Sequence, residues 1–198
     1  MQRYEMGTLA ADLGLHPGLF LTREHGEQAY LRLKQVVEQL PEGESLLLDF
    51  PPQQLIDGSF ADETLVRLGE ELMSEEFGNR AILLQGLTAD SITNIESVIG
   101  FRRLKLGFLA VEPEGQWQVI GQLDPSLREM LAILAQQSSL TAPDLVEKYD
   151  LAINTASNRL KRLFDRRLIR REYEVSAKGL QYYYYFWDWQ PVDTPKAV

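Results

Sequence analysis

Residues 45–68, SLLLDFPPQQLIDGSFADETLVRL, decide the fold. The apolar run at 46–48, closed by Asp49, has the length and composition of a strand that is buried on both faces. The two prolines that follow can neither continue a helix nor pair within a sheet, so the chain turns there. Asp57, Gly58 and Ser59 then precede a helical apolar pattern. The stretch predicts a strand, a loop, a polar elbow and a helix, and α/β proteins place sites at such elbows.

The elbow has the chemistry of a helix start. Ser59 is the predicted N-cap, Asp62 stands in capping-box position, and Glu63 adds negative charge at the positive end of the helix. The only histidines, His16 and His25, lie outside any motif, so Ser59 lacks the base that a nucleophile needs. The acidic residues lack a recognised metal-ligand spacing. We therefore predict a docking surface for a partner, formed by Asp57, Ser59, Asp62 and Glu63.

The composition is that of a globular protein and removes several classes of function. The 198 residues are 44% hydrophobic and include no cysteine, which excludes disulfides, thiol catalysis and most zinc sites. No apolar run reaches the ~20 residues of a membrane helix. The N-terminus does not resemble a secretory signal, so we expect a cytoplasmic protein without membrane contact. We expect no catalytic residue, metal or cofactor, and hence no enzyme.

Charge is distributed unevenly along the chain. The net charge is −9, and residues 1–123 hold 9 Lys+Arg against 19 Asp+Glu. Residues 124–190 are close to balance, with 10 against 9, and residues 153–178 carry 8 Lys+Arg against 3 Asp+Glu. The overall acidity argues against nonspecific nucleic-acid binding by the whole protein. It leaves room for a local basic face in the second half.

Strands and helices alternate through the first half. Residues 1–18 predict only a short strand or arm. The clearer predicted strands are 19–22, 46–49 and 81–86, and the predicted helices are 23–40, the elbow helix to about 76, and one that begins at Thr88 or Asp90. A β-hairpin is predicted from 106–111 and 117–120. This alternation predicts a small, mostly parallel sheet.

The second half has a different order of elements. Asp124 and Pro125 have the character of an N-cap and first helical residue, and Thr141 starts a second helix with Asp144 in capping-box position. A third helix is predicted from about 153 to 165, and two strands follow at 168–175 and 180–187. Three short helices followed by a β-ribbon predict a winged helix-turn-helix.

The third of these helices carries the candidate DNA interface. Its apolar residues share one face, so its polar residues occupy the outer faces, and they are of types that hydrogen-bond phosphates and base edges. The predicted DNA-binding residues are Thr155, Ser157, Asn158, Arg159, Lys161 and Arg162, with Lys178 at the tip of the wing. Winged helices also serve as protein-interaction modules, and a basic face is often only solvated. Both alternatives stay open.

Residues 181–189, QYYYYFWDW, form an unusually dense aromatic run. We interpret it as a strand with one face on the core and the other covering a neighbouring element or a second copy of the chain, which makes a homodimer one alternative. A stacking platform for nucleic-acid bases is the other interpretation.

The motifs LLLDF and IDGSFADE, within residues 19–100, resemble the STAS domain of anti-sigma factor antagonists. SFADE is closer still to a STAS-like bacterial family of unknown function. The resemblance implies a STAS-like α/β fold and a protein partner, such as the histidine-kinase-like ATPase or serine kinase that phosphorylates the antagonists on the first serine after the aspartate. Gly58 stands at that position and Ser59 matches the next, which leaves phosphorylation of Ser59 open.

Residues 141–172, TAPDLVEKYDLAINTASNRLKRLFDRRLIRRE, are similar to bacterial winged-helix regulators of the MarR-like and related kinds. The sequence as a whole therefore predicts an α/β STAS-like domain over residues 1–121, including a β-hairpin at about 104–121. This domain is followed by an α+β winged helix-turn-helix domain over 122–190 and a flexible tail over 191–198.

The function that we expect from this organisation is bacterial transcription regulation. The first domain binds a protein partner and the winged helix binds double-stranded DNA. The alternative is an adaptor that does not bind DNA and uses both domains to dock proteins, as in an anti-sigma-antagonist switch.

Overall fold

The chain is a mixed α/β protein with a mixed sheet. The computed structural model describes residues 1–74, 76–176 and 179–189. Two compact units are present: the first includes Met1–Gln122 and the second is Leu123–Trp187. Among the described helices, none has both the length and the apolar character needed to cross a membrane. The predicted tail, residues 191–198, and the predicted wing-tip residue Lys178 lie outside the described residues.

The first unit alternates short strands with helices. In chain order its elements are β1 (Gln2–Glu5), α1 (Met6–Asp12), β2 (Leu19–Phe20), α2 (Arg23–Gln39), β3 (Ser45–Asp49), β4 (Leu55–Ile56), α3 (Gly58–Ala61), a π-helical turn (Asp62–Val66), α4 (Arg67–Met73), β5 (Ala81–Gln85), α5 (Ala89–Phe101), β6 (Phe108–Val111) and β7 (Trp117–Ile120).

The main sheet has the strand order β1-β3-β5-β6-β7. Its first four strands are parallel, and β7 returns antiparallel to β6, which confirms the predicted hairpin. The order advances in one direction through the described strands. The sheet therefore lacks a reversal of strand order among them, and such a reversal is where open α/β sheets form a ligand crevice.

The apolar run at 46–48 is the buried strand that the sequence predicts, since Leu46, Leu47 and Leu48 of β3 are all buried. The side chains of Leu46 and Leu48 belong to the main core cluster. Phe20 packs edge-on against Phe50 and Phe60 in the same core, with ring centroids 5.3 and 5.4 Å apart. The elbow is thus attached to the sheet through an aromatic contact.

The first 18 residues are more ordered than the sequence predicts. They form the edge strand β1 and the helix α1, which buries Met6, Leu9 and Ala10. The strand is polar, as suits an edge, and the helix has only seven residues. Neither element is long or regular enough to produce a detectable hydrophobic period.

The helical segment 58–73 contains a π-helical turn between α3 and α4. Inside this turn Thr64 donates a hydrogen bond to the carbonyl oxygen of Gly26 on α2, over 2.8 Å. A Cβ atom at Gly26 would lie 3.0 Å from both Glu63 Cβ and the Phe60 carbonyl oxygen. Gly26 therefore lets α2 cross the segment at close range.

The second unit consists of three helices followed by a β-hairpin. Its elements are α6 (Pro125–Leu134), α7 (Ala142–Tyr149), α8 (Ile153–Asp165), β8 (Arg170–Ser176) and β9 (Gly179–Tyr185), with β8 and β9 antiparallel. This is the order of elements that the sequence predicts. The buried residues of α6, α7 and α8, including Leu131, Leu145 and Leu160, form its interior.

The helix starts of this unit agree only in part with prediction. Thr141 and Asp144 form the predicted capping box, in which Asp144 N–H donates to the Thr141 hydroxyl over 3.2 Å and Thr141 N–H donates to the carboxylate over 2.8 Å. Asp124 and Pro125 are the N-cap and the first helical residue of α6, as predicted, but among the described residues the side chain of Asp124 forms no capping hydrogen bond. Pro125 leaves one amide fewer to cap, and the carboxylate of Asp124 instead forms an ion pair with Arg162.

The aromatic run supplies two core residues, Tyr184 on β9 and Trp187 beyond its end, rather than a whole strand face. Tyr184 is buried, and its backbone pairs with Leu140 before α7 through hydrogen bonds of 2.8 and 2.9 Å. Trp187 is buried as well and donates from Nε1 to the carbonyl oxygen of Arg167 over 3.1 Å. Tyr182, on the same strand, remains exposed.

Candidate functional site

The outer face of α8 presents the predicted DNA-binding residues together. The helix buries Ala156, Leu160, Leu163 and Phe164, and this confirms the predicted division of its faces. The exposed residues are Ser157, Asn158, Lys161 and Arg162, while Thr155 and Arg159 are half-buried. A hydroxyl, an amide and two cations are thereby exposed along one 13-residue helix.

Part of the positive charge on α8 is already neutralised within the unit. Lys161 forms an ion pair with Asp165 one turn further on, and Arg162 forms one with Asp124. Arg159 forms no ion pair with the residues that the structure describes. The basic character of the outer face is therefore weaker than the sequence count indicates.

Two of the counted arginines do not reach the surface. Arg166 and Arg167 are only 8% and 6% exposed. Burial lowers the pKa of Arg166, the positive charge of Arg162 lowers it further, and Asp124 acts in the opposite direction. A local charge excess read from sequence thus overstates the surface charge, because it cannot distinguish an inward from an outward arginine.

A groove of about 550 Å³ lies between α8 and the β8–β9 hairpin. We call it the hairpin groove. Its walls include Ser157, Asn158 and Lys161 from α8, with Arg171 and Tyr182 from the hairpin. Among the described residues that line it, none is acidic. Neither Arg171 nor the groove is evident from the sequence, since the contact between a strand and a helix face has no local signal.

The helix at the elbow begins two residues earlier than predicted, and its N-cap is Asp57. The prediction of Ser59 as N-cap is wrong, because the helix starts at Gly58 and Ser59 lies within its first turn, exposed. Asp57 Oδ1 accepts from the Phe60 amide over 2.7 Å, and Oδ2 accepts from the Thr22 amide over 3.0 Å. Asp57 caps the helix and also joins it to the start of α2, a second bond that Ser59 could not make.

Asp62 is not the capping-box residue that the sequence predicts. Asp62 and Glu63 instead lie in the π-helical turn, where both form ion pairs with arginines. The group, which we call the arginine–carboxylate cluster, consists of Arg23, Arg67, Arg102, Asp62, Glu63 and Glu70, and it surrounds a depression of about 340 Å³.

Ion pairs connect every member of this cluster. Arg102 contacts Asp62 over 2.9 Å and Glu70 over 2.8 Å. Burial acts to lower the pKa of Arg102, but the hydrogen bond to Asp62 and the negative charge of Glu70 outweigh it, so the pKa is raised. Arg23 pairs with Asp62 over 3.4 Å and also with Glu63. The carboxylates predicted for partner docking are therefore already engaged, while Ser59 remains exposed.

Both histidines serve local turns. His25 Nδ1 lies 2.9 Å from the Thr22 hydroxyl, and His16 Nδ1 accepts from the Gly18 amide over 3.3 Å. Among the described residues, no group of three or more His, Asp or Glu side chains is placed to hold a metal ion.

Comparison of the chain with protein-family models, with curated proteins and with solved structures returns no match. Inferences about function therefore rest on the two surfaces described above, the outer face of α8 with its groove and the elbow with its cluster.

Proposed function

We propose that the second unit is a winged helix-turn-helix that binds double-stranded DNA through α8, and that the protein is a bacterial transcription regulator. The observation that carries the proposal is the outer face of α8, where Ser157, Asn158, Lys161 and Arg162 are exposed together. A helix of 13 residues is ~20 Å long. It fits lengthwise in a DNA major groove, which is ~12 Å wide.

The arrangement around α8 supports the same proposal. Asp150, at φ 53°, ends α7 in the left-handed conformation, and α8 begins three residues later. Two helices joined by so short a turn, with a β-hairpin after them, are the parts of a DNA-reading module. Asn158 supplies both a donor and an acceptor for base edges, and the cations supply phosphate contacts.

The first unit is proposed to be the STAS-like domain that binds a protein partner. The support is the exposed hydroxyl of Ser59, which lies at the start of a helix, two residues after the capping carboxylate of Asp57. Because the nearby carboxylates Asp62 and Glu63 are engaged by arginines, the partner would meet a surface with little uncompensated charge. Phosphorylation of Ser59 would add about two negative charges at the start of this helix, where negative charge is favoured.

The DNA proposal is tested by fluorescence anisotropy with a labelled duplex of mixed sequence. The full-length protein should bind the duplex, and affinity should fall steeply between about 50 and 200 mM salt, as expected when several phosphates are contacted. The double substitution Arg159→Glu with Lys161→Glu should weaken binding on the order of 100-fold. The control is Arg128→Glu, an exposed charge reversal on α6, which should change affinity far less.

The second candidate function is an adaptor that docks proteins with both units. The pairing of Lys161 with Asp165 and of Arg162 with Asp124 favours it, since paired cations attract DNA less strongly. It predicts no salt-dependent affinity for the duplex. Duplex binding that persists unchanged in the Arg159→Glu, Lys161→Glu protein would refute the assignment of the interface to α8.

A further inference from the structure

The hairpin groove differs in charge from the rest of the protein. The chain carries 29 acidic residues against 20 basic ones, yet the described lining of the groove includes Lys161 and Arg171 and no carboxylate. Lys161 pairs with Asp165 outside this lining, and its ammonium keeps further donors for a ligand. Its volume of about 550 Å³ lies within the range of ~300–1,000 Å³ that is typical of small-molecule sites. The lining therefore favours an anionic occupant.

Arg171 is held in place by aromatic rings. Its guanidinium carbon lies 4.0 Å from the ring centroid of Phe164 and 4.3 Å from that of Tyr182. It forms no ion pair with a carboxylate of the described residues. One of its donors bonds the Tyr184 hydroxyl. Stacking fixes the plane of the guanidinium, and its remaining N–H donors match phosphate in a two-point hydrogen bond. Arg171 is thus a preorganised oxyanion-binding group.

The remaining walls of the groove suit a ligand in which the anionic group is attached to a flat, partly apolar ring. Leu180 and Ile153 are 54% and 47% exposed, and Tyr182 also shows part of its ring. The amides of Asn158 and Gln181 and the hydroxyl of Ser157 supply donors and acceptors beside these apolar surfaces. A purine or pyrimidine ring combines a stacking face with polar edges in this way.

We propose that the hairpin groove binds a free nucleoside monophosphate, with the phosphate on Arg171 and Lys161 and the base against Tyr182 and Leu180. The nucleotide would compete with DNA, because Ser157, Asn158 and Lys161 belong both to the groove and to the outer face of α8. The competition rests on the proposed function, whereas nucleotide binding itself does not.

The test uses isothermal titration calorimetry on the full chain with the 5′-monophosphates of adenosine, guanosine, cytidine and uridine as probes. Inorganic phosphate and adenosine serve as partial ligands. At least one monophosphate should bind on the order of tenfold more tightly than either partial ligand, since both the anion and the ring contribute. The substitution Arg171→Lys keeps the charge but loses the planar fork and should weaken binding by a similar factor.

Further variants keep the result independent of folding. Lys161→Gln and Tyr182→Leu change exposed side chains and should each weaken nucleotide binding several-fold, while Arg128→Gln on α6 should leave it unchanged. Thermal melting of each variant verifies the fold. Absence of binding by all four monophosphates at millimolar concentration, or binding that none of the three groove substitutions weakens, would overturn the proposal.

The same proteins separate this site from the proposed function. Displacement of labelled duplex by the monophosphate supports both. Nucleotide binding without duplex binding supports the groove and contradicts the DNA interface. Duplex binding that Arg171→Lys weakens, in a protein that ignores every monophosphate, assigns the groove to the DNA backbone and contradicts the nucleotide site.

Discussion

The arginine–carboxylate cluster of the first unit and the hairpin groove of the second use the same side chain in opposite ways. In the cluster, Arg102 directs its donors to Asp62 and Glu70. In the groove, Arg171 is held by the faces of Phe164 and Tyr182. Ion pairing uses the donors of an arginine, whereas stacking orients Arg171 and leaves for a ligand the donors that do not bond the Tyr184 hydroxyl. The first arrangement stabilises the fold, and the second is the one that we propose to bind a ligand.

The two arrangements also differ in what each arginine contributes. Partly exposed ion pairs contribute ~0–1 kcal/mol each, and several sharing partners can exceed this. Cation–π contacts contribute ~0.5–2 kcal/mol. The contribution of each arginine to stability therefore does not distinguish the cluster from the groove, whereas a test of ligand binding would. The following predictions address this difference.

The largest effect is expected for Arg102→Glu. The substitution removes two ion pairs and adds a third carboxylate beside Asp62 and Glu70. We expect the free energy of unfolding of the first unit to fall by about 2 kcal/mol. Differential scanning calorimetry measures it. The neighbouring Arg103→Glu is the control, since Arg103 forms no ion pair with the described residues. Equal losses in the two variants would show that the cluster contributes no specific stability.

A smaller effect is expected for Asp144→Asn, which tests the capping box at the start of α7. Asp144 lies beside the groove residues Ala142 and Pro143, but its carboxylate is bonded to Thr141. The hydrogen bond from the Thr141 hydroxyl holds the pKa of Asp144 below its usual value, although burial opposes this. We expect the substitution to lower the free energy of unfolding by about 1 kcal/mol at neutral pH.

The pH dependence of this effect follows from the direction of the shift. Because the folded-state pKa is depressed, the stabilisation is fully present above the unfolded value of ~3.9 and is lost as the pH falls through the folded-state pKa. Thermal melts at several pH values should therefore show the parent and Asp144→Asn proteins converging in acid. Glu147→Gln, on the exposed side of α7, should show no such convergence. A constant difference down to acid pH would contradict the capping role.

The smallest effect is expected for Asp124→Asn, which removes a carboxylate from the proposed DNA-binding face of α8. Asp124 pairs with Arg162, and removing its charge frees a cation for phosphate. Duplex affinity should rise about threefold at low salt, which corresponds to ~0.6 kcal/mol. The salt dependence should steepen. Glu129→Gln on the same helix is the matched control. An unchanged affinity and slope would show that Arg162 does not contact DNA.

Much of the fold is predictable because its signals are local. The buried strands at Ser45–Asp49 and Ala81–Gln85 are short apolar runs, and Thr141 with Asp144 is a cap that two residues suffice to define. The start of the elbow helix is not predictable in this way. Asp57 and Ser59 are equally good caps in isolation, and the contact of Asp57 with the amide of Thr22, 35 residues away, distinguishes them.

The same difference between local sequence signals and distant contacts applies to the candidate sites. The helical period separates the two faces of α8, so residues such as Ser157 and Asn158 are found from sequence. The inward direction of Arg166 and Arg167 follows from packing after the helix has ended, and no periodicity reports it. The place of Arg171 depends on the register of the hairpin, which sets it opposite Tyr184 and diagonal to Tyr182.

The π-helical turn Asp62–Val66 has a consequence for insertions and deletions. Its wider winding accommodates one residue more than an α-helix of the same rise. Loss of one residue within the turn would restore α-helical winding, with the flanking helices keeping their directions. A deletion elsewhere in the segment would rotate every later side chain by about 100°. The hydroxyl of Thr64, bonded to Gly26, holds the wider form. This turn is therefore where a homologue one residue shorter would have its gap.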